Sequence, residues 1–386
     1  MKITDVKTWC VQPENFRRDF VFVKIETDDG ICGIGEAYSC GPDLATMEAI
    51  RYFKDWLIGE DPTRIEYLWT KLYNYSRFPG GCIVDSAISG IDLALWDIAG
   101  KASGLPVYRL LGGASRDRIW CYTGSARGKT NEECVALTQE LIEKNGYTAL
   151  KIFQHFAGDM PVGESRKALA SKYEAFRKAL GDDFELAIDF HARNFEPYRA
   201  VWFAEAIRPY RPLFIEEPIR MENIDQMAKL KPQLGAPLAT GECLYTKYEF
   251  RDVLAAEAAD ILQPDILLCG GMTEAKKIAA MAEAEYKVIA PHNPLSPLST
   301  VINAHFAAAV PNFMILETHD HNMGNHEGCS KLVDRVLAPK DGYIRVSDLQ
   351  GPGWGVELDE EYLDSLPYVP WHRPFAVCTD GSIDVV

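Results

Sequence analysis

The sequence predicts an α/β protein in which a smaller α+β unit precedes a barrel of parallel strands. Three observations support this fold class. Short apolar runs alternate with helical patterns between about residues 118 and 330. Eight such runs can be identified, and apolar strands alternating with helices are typical of a parallel sheet buried on both faces. A polar residue closes most of these runs at a regular interval.

The N-terminal part, predicted as residues 1–117, reads as a mixed α+β unit. The segment "FVFVKIETDDGICGIGEA" predicts two strands joined by a turn at Asp28–Gly30, because such a turn between apolar runs is typical of a β-hairpin. The segment "DSAISGIDLALWDIAGKAS" predicts a long helix, with Asp85 as its N-cap and Gly104 just past its end.

The predicted barrel, residues 118–330, contains eight strand-like runs, which are in order "RIWCYTG", "TALKIF", "FELAIDF", "PLFIEEP", "PLATGEC", "DILQPDI", "VIAPHNP" and "FMILETHD". The alternation stops after about residue 330. Residues 331–386 are therefore expected to form a separate segment that packs back on the N-terminal unit.

Composition excludes several classes of protein. The chain has 386 residues and a net charge of −16, and we find no clustered basic run. A nucleic-acid partner or an anionic membrane surface is therefore not expected. The ten cysteines are scattered without a C-x-x-C pair, which favours reduced thiols in a cytoplasmic protein. No apolar stretch approaches the length of a membrane span.

The polar residues at the ends of the apolar runs indicate function. They are Lys151, Asp189, Glu216, Glu242, Asp265, His292 and Glu317. From Asp189 onward the steps between them are 23 to 27 residues, which is the length of one strand, one helix and two short loops. The carboxyl ends of parallel barrel strands converge on one mouth, where active sites form. We therefore expect these side chains to meet there.

Three of these residues predict a metal site. Asp189, Glu216 and Glu242 follow neighbouring strands, and three converging carboxylates repel one another unless a cation lies between them. Oxygen ligands favour Mg²⁺, or Mn²⁺ as a substitute, over Zn²⁺. The alternative is three separately solvated strand ends. Glu217 is expected to point to the opposite side of its strand.

Two histidines are candidates for proton transfer. Asp265 and His292 are one β/α unit apart, and a carboxylate beside an imidazole fixes its tautomer and raises its basicity, as a general base requires. The alternative is a purely structural hydrogen bond. His191 is predicted on the same strand face as Asp189, from where it could protonate a leaving group.

The remaining polar residues have weaker assignments. Lys151 could supply positive charge near a substrate oxygen, and Glu317 could form a hydrogen bond to the substrate or an intermediate. A solvated strand end is the alternative for Lys151. The other histidines near the predicted mouth have no assigned role, and they are His155, His319, His321 and His326.

The ordered set "DFH…IEEP…GE…QPD…APH…ILE", together with "GWGVELDEE" near the C-terminus, resembles the enolase superfamily. Within it the chain resembles the mandelate racemase subgroup, and most of all acid-sugar dehydratases of the D-galactonate type. The resemblance implies a (β/α)7β modified TIM barrel with an α+β capping domain, which the C-terminal segment completes. It also implies a homo-oligomer.

The resemblance implies dehydration of a sugar acid to a 2-keto-3-deoxy acid. Mg²⁺ would bind Asp189, Glu216 and Glu242 and stabilise the enediolate that forms when His292, oriented by Asp265, removes the α-proton. The acid that expels the 3-hydroxyl would be His191, and Glu317 would bind the intermediate.

One departure from the family pattern affects this interpretation. Many members carry K-x-K on the second barrel strand, where the second lysine is a base on the opposite face, whereas this chain has Lys151-Ile152-Phe153. Phe153 argues against a two-base racemase and favours one base with one acid. Two alternatives stay open, namely a cycloisomerase that opens an anhydro-sugar acid or lactone, and a non-catalytic binder of sugar acids.

Overall fold

The computed structural model describes residues 1–154, 156, 159–370 and 377–384. Its N-terminal part is an antiparallel sheet of three strands in sequence order, followed by helices. The strands are β1 (Ile3–Val11), β2 (Phe20–Thr27) and β3 (Cys32–Ala37), and the helices are α1 (Asp43–Leu57), α2 (Ile65–Tyr73), α3 (Cys82–Ser103) and α4 (Val107–Leu110).

The predicted hairpin is β2 and β3, and its turn contains Gly30 at a φ of 77°. The predicted long helix is α3, but its start differs from the prediction. The helix begins at Cys82 after Gly81, so Asp85 lies inside the first turn and is not the N-cap. Gly104 ends the helix in the left-handed conformation at a φ of 69°, as its position predicts.

Eight parallel strands form the barrel, and each coincides with a predicted run. They are β4 (Arg118–Gly124), β5 (Ala149–Phe153), β6 (Glu185–Asp189), β7 (Ile215–Glu216), β8 (Leu238–Thr240), β9 (Ile261–Leu262), β10 (Val288–Ile289) and β11 (Leu316–Thr318). Neighbours pair in sequence order, and β11 pairs with β4. A parallel bridge between Ile289 and Phe313 closes the ring.

One α-helix follows each of the first seven barrel strands in the part of the chain that the structure describes. These helices are α5 (Asn131–Asn145), α6 (Val162–Leu180), α7 (Pro197–Ile207), α8 (Ile224–Leu234), α9 (Thr246–Ala255), α10 (Gly271–Ala284) and α11 (Pro297–Ala309). The predicted (β/α)7β order is confirmed. None of the described helices is both long and apolar enough to cross a membrane.

The barrel interior contains a packed layer of side chains. Each strand contributes one residue to this layer, either from within the strand or from directly beside its end. The layer consists of Tyr122, Ala149, Ala187, Phe214, Ala239, Ile261, Ala290 and Ile315. Large and small residues share this layer, so the barrel is filled and is not a pore.

The C-terminal segment follows α12 (Glu327–Ser330) and contains β12 (Tyr343–Arg345) and α13 (Glu360–Ser365). Trp354 joins it to the N-terminal unit, because its indole N–H donates to the Ile34 carbonyl at 3.0 Å and its backbone N–H donates to Asp97 at 2.8 Å. The domain bounds at residues 117/118 and 330/331 stay a prediction.

Candidate active site

The candidate site is the next layer of the barrel interior. Side chains two positions apart on a strand face the same way, so this layer lies two residues beyond the packed one. It contains Gly124, Lys151, Asp189, Glu216, Gly241, Gln263, His292 and Glu317. Most of the predicted strand-end residues therefore converge because they continue the inward face of the barrel.

Asp189, Glu216 and Glu242 form the carboxylate cluster that the sequence predicts. Each offers an oxygen, and these oxygens all lie within 4.8 Å of one another. Asp189 and Glu216 are direct partners on β6 and β7. Glu242 follows Gly241. The φ of Gly241 is 134°, which favours glycine, and a Cβ atom added there would lie 2.8 Å from the Phe250 ring.

Lys151 is the cation inside this cluster, and its side chain is 1% exposed. Its ammonium lies 2.8 Å from Glu216, 2.8 Å from Glu317 and 3.4 Å from Asp189. Burial lowers the pKa of Lys151, but the charges of Glu216 and Glu317 outweigh burial and raise the pKa well above its usual range.

The charges and the ligand atoms of the cluster suit a divalent cation. Burial, followed by repulsion from Asp189, raises the pKa of Glu216 well above its usual range. A buried oxygen of Glu242 has no hydrogen-bond partner among the described residues. One lysine cannot balance this many buried carboxylates, and all-oxygen ligands of this kind suit Mg²⁺ or Mn²⁺.

His292 and Asp265 lie side by side just beyond the ends of β10 and β9. Their Nδ1 and Oδ2 atoms are 2.9 Å apart, and Asp265 also accepts the backbone N–H of Leu267. Nε2 of His292 faces Glu242 at 3.5 Å. Burial lowers the pKa of His292, but the charge of Glu242 and the hydrogen bond to Asp265 outweigh burial and raise the pKa to about 10. A cation bound by Glu242 would offset this charge and lower the pKa of His292 again, as a base requires.

His191 reaches the cluster by a different route from the predicted one. Strand β6 ends at Asp189, and His191 lies in a turn with a φ of 50°. Its backbone N–H donates to Asp189 at 2.6 Å, and its Nδ1 lies 3.2 Å from the same oxygen. Burial lowers the pKa of His191. The turn, and not the strand pleat, places the imidazole beside Asp189.

Phe153 occupies the side of the mouth near His191, with the two ring centres 5.5 Å apart. The ring fits there because Gly124 has no side chain, and a Cβ atom at Gly124 would clash with the ring. Phe153, which replaces the second lysine of the family pattern, is therefore packed into the space beside Gly124 of the neighbouring strand β4.

Glu217 is buried next to the cluster but is not one of its three carboxylates. It accepts hydrogen bonds from the Thr240 hydroxyl and the Gly241 backbone N–H. Burial raises the pKa of Glu217 to about 8. Its hydrogen bonds hold the strand end that carries Glu242.

Gln263 contributes to the site although the sequence analysis gave it no role. Its side-chain amide donates to Glu216 at 2.8 Å. Gln263 precedes Asp265 by two residues in the same predicted run. Strand periodicity therefore offers a signal that could have identified it.

Two aromatic residues at the site also had no assigned role. Tyr38 of the N-terminal unit places its ring centre 6.1 Å from that of His292, and Nε2 of His319 lies 3.1 Å from Glu317. His319 follows Glu317 by two residues, so its position could have been expected. No sequence pattern indicates Tyr38.

The other histidines differ in position. His321 contacts the Pro294 carbonyl at 2.9 Å, and His326 accepts the Cys329 N–H at the start of α12. His155 lies outside the described residues. Neither His321 nor His326 is part of the carboxylate cluster.

A cavity of about 600 Å³ opens beside the cluster. Its lining includes His191 and Glu242, and its outer wall includes Arg220. Of the three carboxylates only Glu242 lines this cavity, so the cavity adjoins the cluster on the side of His191 and Glu242.

Comparisons with known proteins agree with this geometry. Residues 133–362 match the enolase C-terminal domain-like family, and residues 13–112 match the N-terminal domain of the mandelate racemase / muconate lactonizing enzyme family. The chain is 38% identical to a D-galactonate dehydratase of Ralstonia nicotianae, with 99% of each chain covered. It is 39% identical to one of Variovorax paradoxus, also with 99% of each covered.

Solved structures share the fold. An enolase from Agrobacterium radiobacter, named as a candidate galactarate dehydratase and bound to sodium and L-malate, is 40% identical, with 99% of each chain covered and a TM-score of 0.92. A protein from Salmonella enterica, named as a candidate dehydratase, is 31% identical, with 96% of this chain and 99% of that chain covered and a TM-score of 0.88. This chain therefore belongs to the mandelate racemase and muconate lactonizing enzyme family of the enolase superfamily.

Proposed function

We propose that this chain is a metal-dependent dehydratase of sugar acids that converts an aldonate such as D-galactonate to a 2-keto-3-deoxy acid. The observation that carries the proposal is the position of two histidines beside one carboxylate cluster. His292, paired with Asp265, faces Glu242, and His191 contacts Asp189. Relatives named D-galactonate dehydratases, 38% identical over 99% of the chain, support the substrate class.

The proposed cofactor is one Mg²⁺ ion, for which Mn²⁺ could substitute, held by Asp189, Glu216 and Glu242. A divalent cation in this position supplies an electrophile that binds the substrate carboxylate and offsets the negative charge that develops during proton removal. Lys151 adds positive charge on the same side, since its ammonium contacts Glu216 at 2.8 Å.

Two proton transfers bring about the proposed loss of water. His292 accepts the α-proton at Nε2, while Asp265 holds Nδ1–H and stabilises the imidazolium that forms. His191 delivers a proton to the 3-hydroxyl, the C3–O bond breaks, and water leaves as the C2–C3 double bond forms. The resulting enol then tautomerises: C3 takes up a proton from solvent and the hydroxyl at C2 loses one, which gives the 2-keto-3-deoxy acid.

A panel of aldonates and aldarates with Mg²⁺ tests the proposal, with the 2-keto acid product identified by NMR. D-Galactonate is expected to be converted, and His292→Asn is expected to remove turnover while metal binding is retained. A folded, metal-loaded protein that converts none of the panel would contradict the dehydratase function. Conversion of an anhydro-sugar acid or lactone alone would identify a cycloisomerase, and binding without α-proton exchange would identify a binder.

A further inference from the structure

The two members of the proposed base pair, Asp265 and His292, each lie shortly before the start of a barrel helix. Gly270 is the N-cap of α10, and Ser296 is the N-cap of α11. The first N–H groups of a helix have no partner within that helix, so their acceptors help to fix where the helix starts. A displaced helix start would move the short segment that joins it to Asp265 or to His292.

Glu36 of β3 binds the start of α11 from the N-terminal unit. Its carboxylate is fully buried and accepts both the Ser296 backbone N–H, at 3.2 Å, and the Ser296 hydroxyl. The oxygen of the same hydroxyl accepts the Leu298 N–H at 3.1 Å. Because a hydroxyl can donate and accept at once, Glu36 fixes the orientation in which Ser296 caps the helix.

Asp92 of α3 binds the start of α10 in a similar way. Its two oxygens accept the Thr273 backbone N–H at 3.0 Å and the Thr273 hydroxyl at 2.6 Å. The N-cap of this helix is Gly270, which has no side chain, so Asp92 supplies an acceptor from another element. A Cβ atom at Gly271 would lie 2.4 Å from the Asp92 carboxylate. Glycine at that position therefore permits the close approach.

Further contacts join the N-terminal unit to the segment that carries Asp265. The Ser89 hydroxyl of α3 accepts the Gly270 N–H at 2.9 Å. The Tyr38 backbone N–H, just beyond β3, donates to the Leu267 carbonyl at 3.0 Å. The N–H of Leu267 in turn donates to Asp265 at 2.8 Å. The N-terminal unit therefore holds this segment through backbone atoms, as Glu36 does for the segment after His292.

We propose that Glu36 and Asp92 are positioning residues that set the placement of His292 against Asp265 by fixing the starts of α11 and α10. Through them the N-terminal unit contributes to removal of the α-proton, although both carboxylates are far from His292 in the chain. The role of His292 as the base rests on the proposed function, whereas the hydrogen bonds to the two helix starts do not.

Paired variants of each carboxylate test the effect on the reaction. Glu36→Met and Asp92→Leu remove the acceptors, whereas Glu36→Gln and Asp92→Asn keep an amide that can accept the backbone N–H and donate to the hydroxyl oxygen. In the first pair, exchange of the D-galactonate α-proton with D₂O is expected to slow by about tenfold or more, because misplaced catalytic groups lose rate. Mg²⁺ affinity is expected to stay unchanged, and the amide variants should keep most of the rate. Unimpaired exchange in the first pair, or an equal loss in the amide variants, would overturn the proposal.

Asp97→Asn is the matched control for general destabilisation. Asp97 lies on α3 and is buried like Asp92, but it accepts the backbone N–H groups of Ile34 and Trp354. The two N–H groups bind different oxygens, so an amide at this position loses one of them. Asp97→Asn is expected to exchange the α-proton at the wild-type rate. A loss equal to that of Asp92→Leu would indicate a merely structural effect and overturn the proposal.

Hydrogen–deuterium exchange mass spectrometry tests the positioning without a substrate. Backbone amides of residues 292–300 are expected to exchange faster in Glu36→Met, and those of residues 265–274 in Asp92→Leu, with the rest of the barrel unchanged. Unchanged exchange in these segments, or faster exchange across the whole barrel, would overturn the proposal. If the local changes are found but the wild type converts no sugar acid, the proposed function fails while the positioning of the two segments is supported.

Discussion

Nδ1 of His292 lies 2.9 Å from Oδ2 of Asp265, across a single parallel bridge between the ends of two neighbouring barrel strands. The two residues are 27 positions apart in the chain. This pairing leaves Nε2 directed toward Glu242 and the carboxylate cluster. An imidazole oriented in this way can accept a proton from a ligand held at the cluster.

Removing one carboxylate of the cluster is expected to weaken metal binding. Glu242→Gln should lower Mg²⁺ affinity by at least about tenfold, because the amide carries no charge. Isothermal titration calorimetry with Mg²⁺ measures the change. Asp252→Asn is the matched control, since Asp252 lines the same cavity but lies outside the cluster. Equal Mg²⁺ affinity in the two variants would contradict the assigned site.

Variants of His191 and of His292 are expected to lose different steps of the reaction. His191→Asn should retain exchange of the substrate α-proton with solvent deuterium, because His292 is intact, but lose dehydration by about a hundredfold or more. His292→Asn should lose both. Proton NMR in D₂O follows exchange and product together. Loss of exchange in His191→Asn, with the protein folded, would refute the separate roles.

The position of the Phe153 ring leads us to predict the configuration at C2 after that exchange. The ring lies beside Gly124 and His191, at the position that the second lysine takes in the family pattern, so we expect a proton to return only from His292. Substrate recovered from His191→Asn in D₂O should carry deuterium with unchanged configuration at C2. Chiral chromatography of the recovered acid measures this, and accumulation of the C2 epimer would be inconsistent with one base.

His305 is expected to make stability depend on pH. Burial lowers its pKa from 6.5 to about 4, and the neutral ring accepts from the Tyr108 N–H and faces the Trp354 carbonyl. The folded protein prefers neutral His305, so this contribution is complete above pH 6.5 and is lost as the pH falls toward 4. The free energy of unfolding is expected to fall by about 2 kcal/mol between pH 7 and pH 5 through this group.

Urea unfolding at pH 7 and pH 5 checks this contribution. The midpoint of the wild type should fall more between the two pH values than that of His305→Gln. His326→Gln serves as the control, since His326 is only partly buried whereas His305 is fully buried. An identical pH dependence in the wild type and His305→Gln would rule out the contribution of His305.

Some site residues could be predicted because their signal is periodic. Asp189, Glu216 and His292 each continue the inward face of a strand, so the strand period and the length of a β/α unit suffice to bring them together. Other residues could not be predicted. Tyr38 comes from the N-terminal unit, and only packing of that unit against the barrel brings it to His292.

Local periodicity in the chain was enough to predict the eight strands, the intervening helices and the convergence of Asp189 and Glu216, because these features repeat at a nearly regular interval. Glu242 lies one residue beyond the inward position of its strand, and the turn at Gly241 brings it to the cluster. The orientation of individual side chains depended on packing in three dimensions. His191 reaches Asp189 through a left-handed turn and not along the strand, and His319 is fixed by stacking on Phe153, which is distant in the chain.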